Sequence, residues 1–175
     1  DSTITCSATI TDEDGESLTP TYEWNIGSNS VGTSDALTLT PSIAAVADTV
    51  TCTASVEDGY GGSDSATTTA TVQNTDPTMS AGSITPGASV TVTDELTCSA
   101  TGDDLNDGTL TGTYTWTNIK TGATLGTAST LQLDSAIASP DDVISCLVSF
   151  TDNNGASVSD SASVTIINTA PVFDV

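Results

Sequence analysis

The residues able to do chemistry in this sequence are four cysteines and a set of clustered carboxylates. The thiols are Cys6, Cys52, Cys98 and Cys146. The acids gather as Asp12, Glu13, Asp14 and Glu16, as Glu57 with Asp58, as Asp103, Asp104 and Asp107, and as Asp152 followed by Asn153 and Asn154. With no C-x-x-C and no His, a zinc site lacks its usual donors, so disulfide formation is the expected thiol chemistry. Loops rich in Asp and Asn offer hard oxygen donors, and Ca²⁺ takes six to eight of these in flexible geometry. The same residue types also make turns and keep loops solvated. Asp103 and Asp104 have the residue types of a glycosidase pair, but clustered acids of this kind read as a solvated loop, and catalysis is not expected.

The elements that must hold these groups are legible in the composition. The chain has 175 residues, 23 Asp plus Glu against the single base Lys120, no His, and a formal net charge of -22. One cation cannot neutralise a phosphate backbone or an anionic lipid surface, which excludes nucleic acid and argues against membrane docking. No stretch approaches 18 apolar residues, and Asp1-Ser2-Thr3 does not open like a signal peptide. Thr and Ser number 35 and 23. They alternate with apolar residues instead of forming blocks, which favours a pleated, half-buried surface over disorder.

An internal repeat organises the chain. Residues 4–24 (ITCSATITDEDGESLTPTYEW) align with residues 96–116 (LTCSATGDDLNDGTLTGTYTW), eleven positions being identical at an offset of 92. From Leu37 and Leu131 onward the offset is 94, so two residues were added between Trp116 and Leu131, where a loop is expected. Each copy reads as short strands of period two: Ile4 to Ile10, Tyr22 to Ile26, Leu37 to Leu39, Val50 to Val56 and Ala66 to Val72, with their counterparts in the second copy. Ser42–Ala47 and Ser135–Ser139 suit single helical turns. Two tandem β-sandwiches follow, over residues 1–75 and 76–169. Met79–Ile84 and Ser89–Thr93 supply first-strand segments to the second copy, and the first copy has no counterpart. Residues 170–175 read either as the opening of a third module in a longer array or as a terminal strand donated to a neighbour.

Repeat symmetry selects Cys6–Cys52 and Cys98–Cys146 from the three possible pairings, because each bridge then recurs inside its own copy. Closing a loop of that size is worth about 4 kcal/mol in the chain-entropy model. Such bridges imply an oxidising compartment, hence an extracellular, secreted or surface location.

The order Cys6, Trp24, Cys52 and its repeat Cys98, Trp116, Cys146 resembles the framework of immunoglobulin-like sandwiches. The sequence is also similar to the Ig-like and PKD- or cadherin-like repeats of large bacterial cell-surface proteins. The shared features are the run Leu96-Thr97-Cys98-Ser99-Ala100-Thr101, the acidic loop after it, the Tyr-x-Trp motif and the Asn-Thr-x-Pro joint. The tyrosine corner is missing, since Val50 and Ile144 hold its place. The resemblance implies an all-β fold of two tandem immunoglobulin-like domains, each with one intradomain disulfide. Trp24 and Trp116 are expected in the core instead of facing a sugar. The resemblance also implies that the loops after the first cysteines meet the loops after the second ones at the chain-entry end. Asn74, Asp76, Asp103, Asp104, Asp107 and Asp152 would then hold one Ca²⁺ at the joint, and Asp12, Asp14 and Asp58 a second. An internal Lys–Asn crosslink of the type some bacterial modules carry has no Lys in the first copy.

The function implied is a non-enzymatic extracellular repeat of a fibre, stalk or filament, its joints stiffened by Ca²⁺ and its partners neighbouring copies of the same module. The alternative is a Ca²⁺-dependent adhesin module that binds carbohydrate or protein through its acidic loops. N-x-Ser/Thr acceptors are absent, while the hydroxyl-rich outer faces suit O-linked sugars.

Overall fold

The structure, a computed structural model, describes residues 2–173. It divides into two compact units, Asp1–Thr75 and Asp76–Val175. Among the described residues every regular element is a strand, and no helix is long and apolar enough to cross a membrane, which leaves β-barrels aside.

The first unit contains β1 (Ser2–Thr5), β2 (Thr21–Ile26), β3 (Asn29–Gly32), β4 (Ala36–Leu39), β5 (Thr49–Glu57) and β6 (Ser63–Thr71). One sheet is β1-β4 and the other β3-β2-β5-β6. Alternation sets the faces: Val50, Cys52 and Ala54 of β5 are buried while Thr51, Thr53 and Ser55 stay partly exposed. The outer face of β5 and β6 is a threonine ladder, with Thr49 opposite Thr71, Thr51 opposite Thr69 and Thr53 opposite Thr67. Its core is small, namely Cys6, Trp24, Leu37, Val50 and Cys52 with partly buried neighbours.

The second unit repeats this plan and adds to it. Its strands are β7 (Thr78–Met79), β8 (Ser83–Thr85), β9 (Glu95–Ser99), β10 (Gly102–Asp104), β11 (Gly108–Leu110), β12 (Thr113–Asn118), β13 (Ala123–Gly126), β14 (Thr130–Gln132), β15 (Val143–Thr151) and β16 (Ser157–Thr165). The sheets are β14-β9-β8, β13-β12-β15-β16 and a short β11-β10-β7. Val90 forms a parallel bridge to Ile166. The core is larger, with Trp116, Phe150, Leu96, Leu133, Ile144, Ile166, Val90 and Val148 almost fully buried.

Each sandwich is pinned by one disulfide between its facing sheets, Cys6–Cys52 and Cys98–Cys146. Trp24 and Trp116 lie opposite Cys52 and Cys146 in register. Both indoles are buried, and each donates its Nε1–H to a loop carbonyl, Ser34 at 2.8 Å and Ala128 at 2.9 Å. Buried polar groups need such partners, and here they fix the ring in the core. The fold is therefore all-β, two tandem immunoglobulin-like sandwiches with one intradomain disulfide each.

Several local expectations change. The first strand stops at Thr5 instead of running to Ile10. The acidic stretch of the second copy is a hairpin, β10–β11, not a plain loop. Strands β3 and β13, which alternation does not signal, pair with β2 and β12 across a register shift just after each Trp. The two added residues lie in the turn between β12 and β13: four residues link Asn118 to Ala123, against two between Ile26 and Asn29. Of the segment 170–175, Ala170–Phe173 form no strand, and Asp174 and Val175 lie outside the described residues.

Candidate functional site

At one end of the first unit, Asp12, Glu16 and Asp58 each bring a carboxylate oxygen within 4.8 Å of the other two. The chain after β1 carries Asp12, and the turn between β5 and β6 carries Asp58. Gly15 explains the third member. It adopts φ +83° and its N–H donates to the Asp12 carbonyl at 3.3 Å, so the chain doubles back and returns Glu16 to Asp12. Asp14 is not one of the three. It is exposed, and its backbone N–H donates to Asp12 Oδ1 at 2.8 Å. Sequence reasoning thus placed Asp12 and Asp58 in one set and missed Glu16; the Asp14-Gly15 turn was the available signal.

Asp58 is built into its turn. Its Oδ1 accepts the N–H groups of Tyr60 at 2.8 Å and Gly62 at 2.7 Å. These two bonds, Tyr60 first, hold its pKa below the ordinary carboxylate value, against a smaller opposing effect of desolvation. Tyr60 at the tip of the same turn is 87% exposed. Beside the cluster runs a groove of about 340 Å³ whose walls include Ala8, Ile10, Leu18, Ala54, Val56 and Ala66.

The matching residues of the second unit do other work. Asp104 and Asp152 are buried and close turns: Asp104 Oδ1 accepts from the N–H of Asn106 and Asp107, and Asp152 Oδ1 from the N–H of Asn154 and Ala156. Asp107 takes both the backbone N–H and the side-chain amide of Asn153, at 2.9 and 2.7 Å. That pair ties the β10–β11 hairpin to the turn after β15, so the two loop sets do meet at one end. Asp103 is exposed, and its carbonyl accepts from the Thr78 hydroxyl. Asn74 is half-buried and Asp76 exposed, at the division between the units. Gly108 stands where the first copy has Glu16, which removes one carboxylate from this end of the second unit.

Comparison with known proteins gives little more. A scan against protein-family models and a search of curated proteins found no match. Among solved structures, the chain is similar to the three N-terminal domains of the bacteriophage RB49 Highly Immunogenic Outer Capsid protein (Hoc). The identity is 18%, the TM-score 0.39, and the alignment covers 94% of this chain and 53% of that one, so the chain spans about half the length of that structure. It is also similar to the amphioxus IgVJ-C2 molecule, at 15% identity and TM-score 0.42, over 95% of this chain and 96% of that one.

Proposed function

We propose that the chain is a non-enzymatic structural repeat of an extracellular fibre, stalk or filament, of the kind found in large bacterial surface proteins, with copies of the same module as its neighbours. The observation that supports this is the pair of disulfides, each joining the facing sheets of its own sandwich. Pulled along its length, a unit pinned in this way cannot release the chain between its cysteines, a separation of 46 residues in one unit and 48 in the other. Bridges of this type also belong to an oxidising compartment outside the cytosol.

Single-molecule stretching tests the mechanical role. Oxidised units should yield only at high force and release the short remainder of chain. Reduction should lengthen each unfolding step by roughly 150–160 Å, the extended length of the segment set free. Units that yield at forces barely above thermal noise while oxidised would end the reading.

Asp12, Glu16 and Asp58 are the residues proposed to take Ca²⁺, with oxygen donors of the right hardness but fewer than a full shell. Melting with Ca²⁺ and with chelator checks this: the first unit's transition should rise with the ion, and an unchanged midpoint removes Ca²⁺ from the account. A second reading, an adhesin gripping carbohydrate or protein through the same loops, is favoured by the exposed Tyr60 beside the acids, since loop-tip aromatics supply rigid contact area. Binding to a glycan array that disappears in Tyr60→Ala would select it.

A further inference from the structure

We infer that Asn154 is a self-modifying site. The backbone nitrogen of Gly155 attacks its side-chain amide, water then converts it to an aspartyl or isoaspartyl residue, and the turn after β15 loses its hold on the β10–β11 hairpin. The inference goes beyond the structural-repeat reading and does not depend on it.

The same turn is built twice, and one copy carries a reactive group. Asp152 Oδ1 accepts the N–H groups of Asn154 at 2.9 Å and Ala156 at 2.8 Å, as Asp58 Oδ1 accepts those of Tyr60 and Gly62. The Asp152 N–H donates to the Ala156 carbonyl and the Asp58 N–H to the Gly62 carbonyl, both at 2.9 Å. The fourth residue is a glycine of nearly equal angle, Gly155 at φ +92° and Gly61 at φ +95°. Before it stands Tyr60 in the first unit, which offers no carbonyl carbon on its side chain, and Asn154 in the second, which offers a carboxamide. Asn154 is exposed, and its side-chain amide has no hydrogen-bond partner among the described residues. Its neighbour Asn153 is committed, its Nδ2 donating to Asp107 Oδ1 at 2.7 Å. The attacking nitrogen is lightly held, since the Gly155 N–H reaches the Asp152 carbonyl at 3.3 Å, longer than an ordinary N–H···O bond. Glycine also has no β-carbon to crowd the ring closure. Among the eight asparagines of the chain, Asn154 alone precedes a glycine. Asp14, Asp58 and Asp107 also precede glycines, but a carboxylate is a poor electrophile beside an amide.

The reaction balances with water as its co-reactant. The Gly155 nitrogen gives up its proton and bonds to Asn154 Cγ, closing a succinimide ring. The Cγ–Nδ2 bond breaks, and Nδ2 leaves with that proton as ammonia. Water then opens the ring: cleavage at Cγ leaves an aspartyl residue, and cleavage at the main-chain carbonyl an isoaspartyl one. Either product puts a new carboxylate in a turn already closed by the Asp152 carboxylate. The isoaspartyl form also moves a methylene into the backbone between the N–H groups of Asn154 and Ala156, which share one oxygen of Asp152. A longer chain disturbs both bonds. The same turn presents Asn153 to Asp107 of the hairpin, so the tie between them weakens with it.

Incubation of the oxidised 175-residue chain at neutral and mildly alkaline pH tests the proposal, read by peptide mass spectrometry and by isoaspartyl methyltransferase labelling. Conversion should appear first at Asn154. It should quicken by roughly tenfold per pH unit, as the deprotonated fraction of the attacking nitrogen does. Asn154→Tyr, which copies the turn of the first unit, should keep its fold by circular dichroism and lose the conversion. In the aged chain, hydrogen exchange at the N–H groups of Asn153 and Ala156 should speed up by roughly tenfold, the effect of losing one hydrogen bond. Earlier conversion of any other asparagine overturns the site. So does a folded chain that stays intact while a peptide of the Thr151–Val158 sequence is converted. Equal exchange in fresh and aged chains overturns the release of the hairpin.

Discussion

Asp142, in the turn before β15, is held by three partners. Its carboxylate accepts from Asn118 Nδ2 at 2.9 Å and from the Ser139 N–H at 3.0 Å, and pairs with Lys120 Nζ at 3.0 Å. The Asn118 amide, then Lys120, hold its pKa below the ordinary value, opposed in part by desolvation. A depressed folded pKa contributes stability that is present above the unfolded value, about 4, and is lost as pH falls through the lower folded value. The melting point of the second unit should therefore drop as the solution is acidified below about pH 4. The part of that slope due to this group should vanish in Asp142→Asn. Asn118 itself is 1% exposed, donates also to the Ile137 carbonyl and accepts the N–H of Lys120 and Thr121. Asn118→Ala would strand those groups and should cost about 1–3 kcal/mol in urea unfolding of that unit. Ile26 occupies the matching position in the first copy and brings no amide there.

At the scale of elements, the two units differ in the size of their buried clusters among the described residues. In the second, Ile84 and Val90 are buried and Met79 packs against the same core; the cluster described in the first unit holds five buried residues, Cys6, Trp24, Leu37, Val50 and Cys52. Heating should accordingly give two transitions, the lower belonging to the first unit. Reduction should lower both, by an amount corresponding to about 4 kcal/mol per bridge in the chain-entropy model, and should leave the leaner unit unfolded near room temperature. Calorimetry with and without reductant, with Trp24→Phe and Trp116→Phe to assign each transition, checks this. Much of this architecture was legible in the sequence, because period-two alternation marks strands locally and the internal repeat shows each of them twice. Strands β3 and β13 were not, since Asn29–Gly32 and Ala123–Gly126 lack alternation and are held by pairing to β2 and β12. Glu16 was missed for a related reason: its return to Asp12 depends on the positive φ of Gly15, and a backbone angle leaves no periodic trace. The acids of the second copy were visible, but not their use as turn closures.

For the whole molecule, net charge dominates. A formal charge of -22 with one cation means that almost every long-range interaction within the chain is repulsive. Neutral salt should raise both melting transitions, by roughly 4–8 °C for each kcal/mol of repulsion relieved, and the gain should level off as the screening length falls below the spacing of the loop acids. Flat midpoints from dilute buffer to high salt would show that the acids are already balanced. The same composition leaves trypsin one bond to attack, after Lys120, in the turn between β12 and β13.

The threonine ladder of β5 and β6 has a consequence of its own. Its hydroxyls repeat about every 6.8 Å along each strand and about 4.8 Å between strands, a ruled grid of acceptor oxygens on a flat wall. An exporting cell that glycosylates such residues would find its attachment points already set out in rows. The finished wall would then meet its surroundings as a saccharide brush, with the polypeptide hidden beneath.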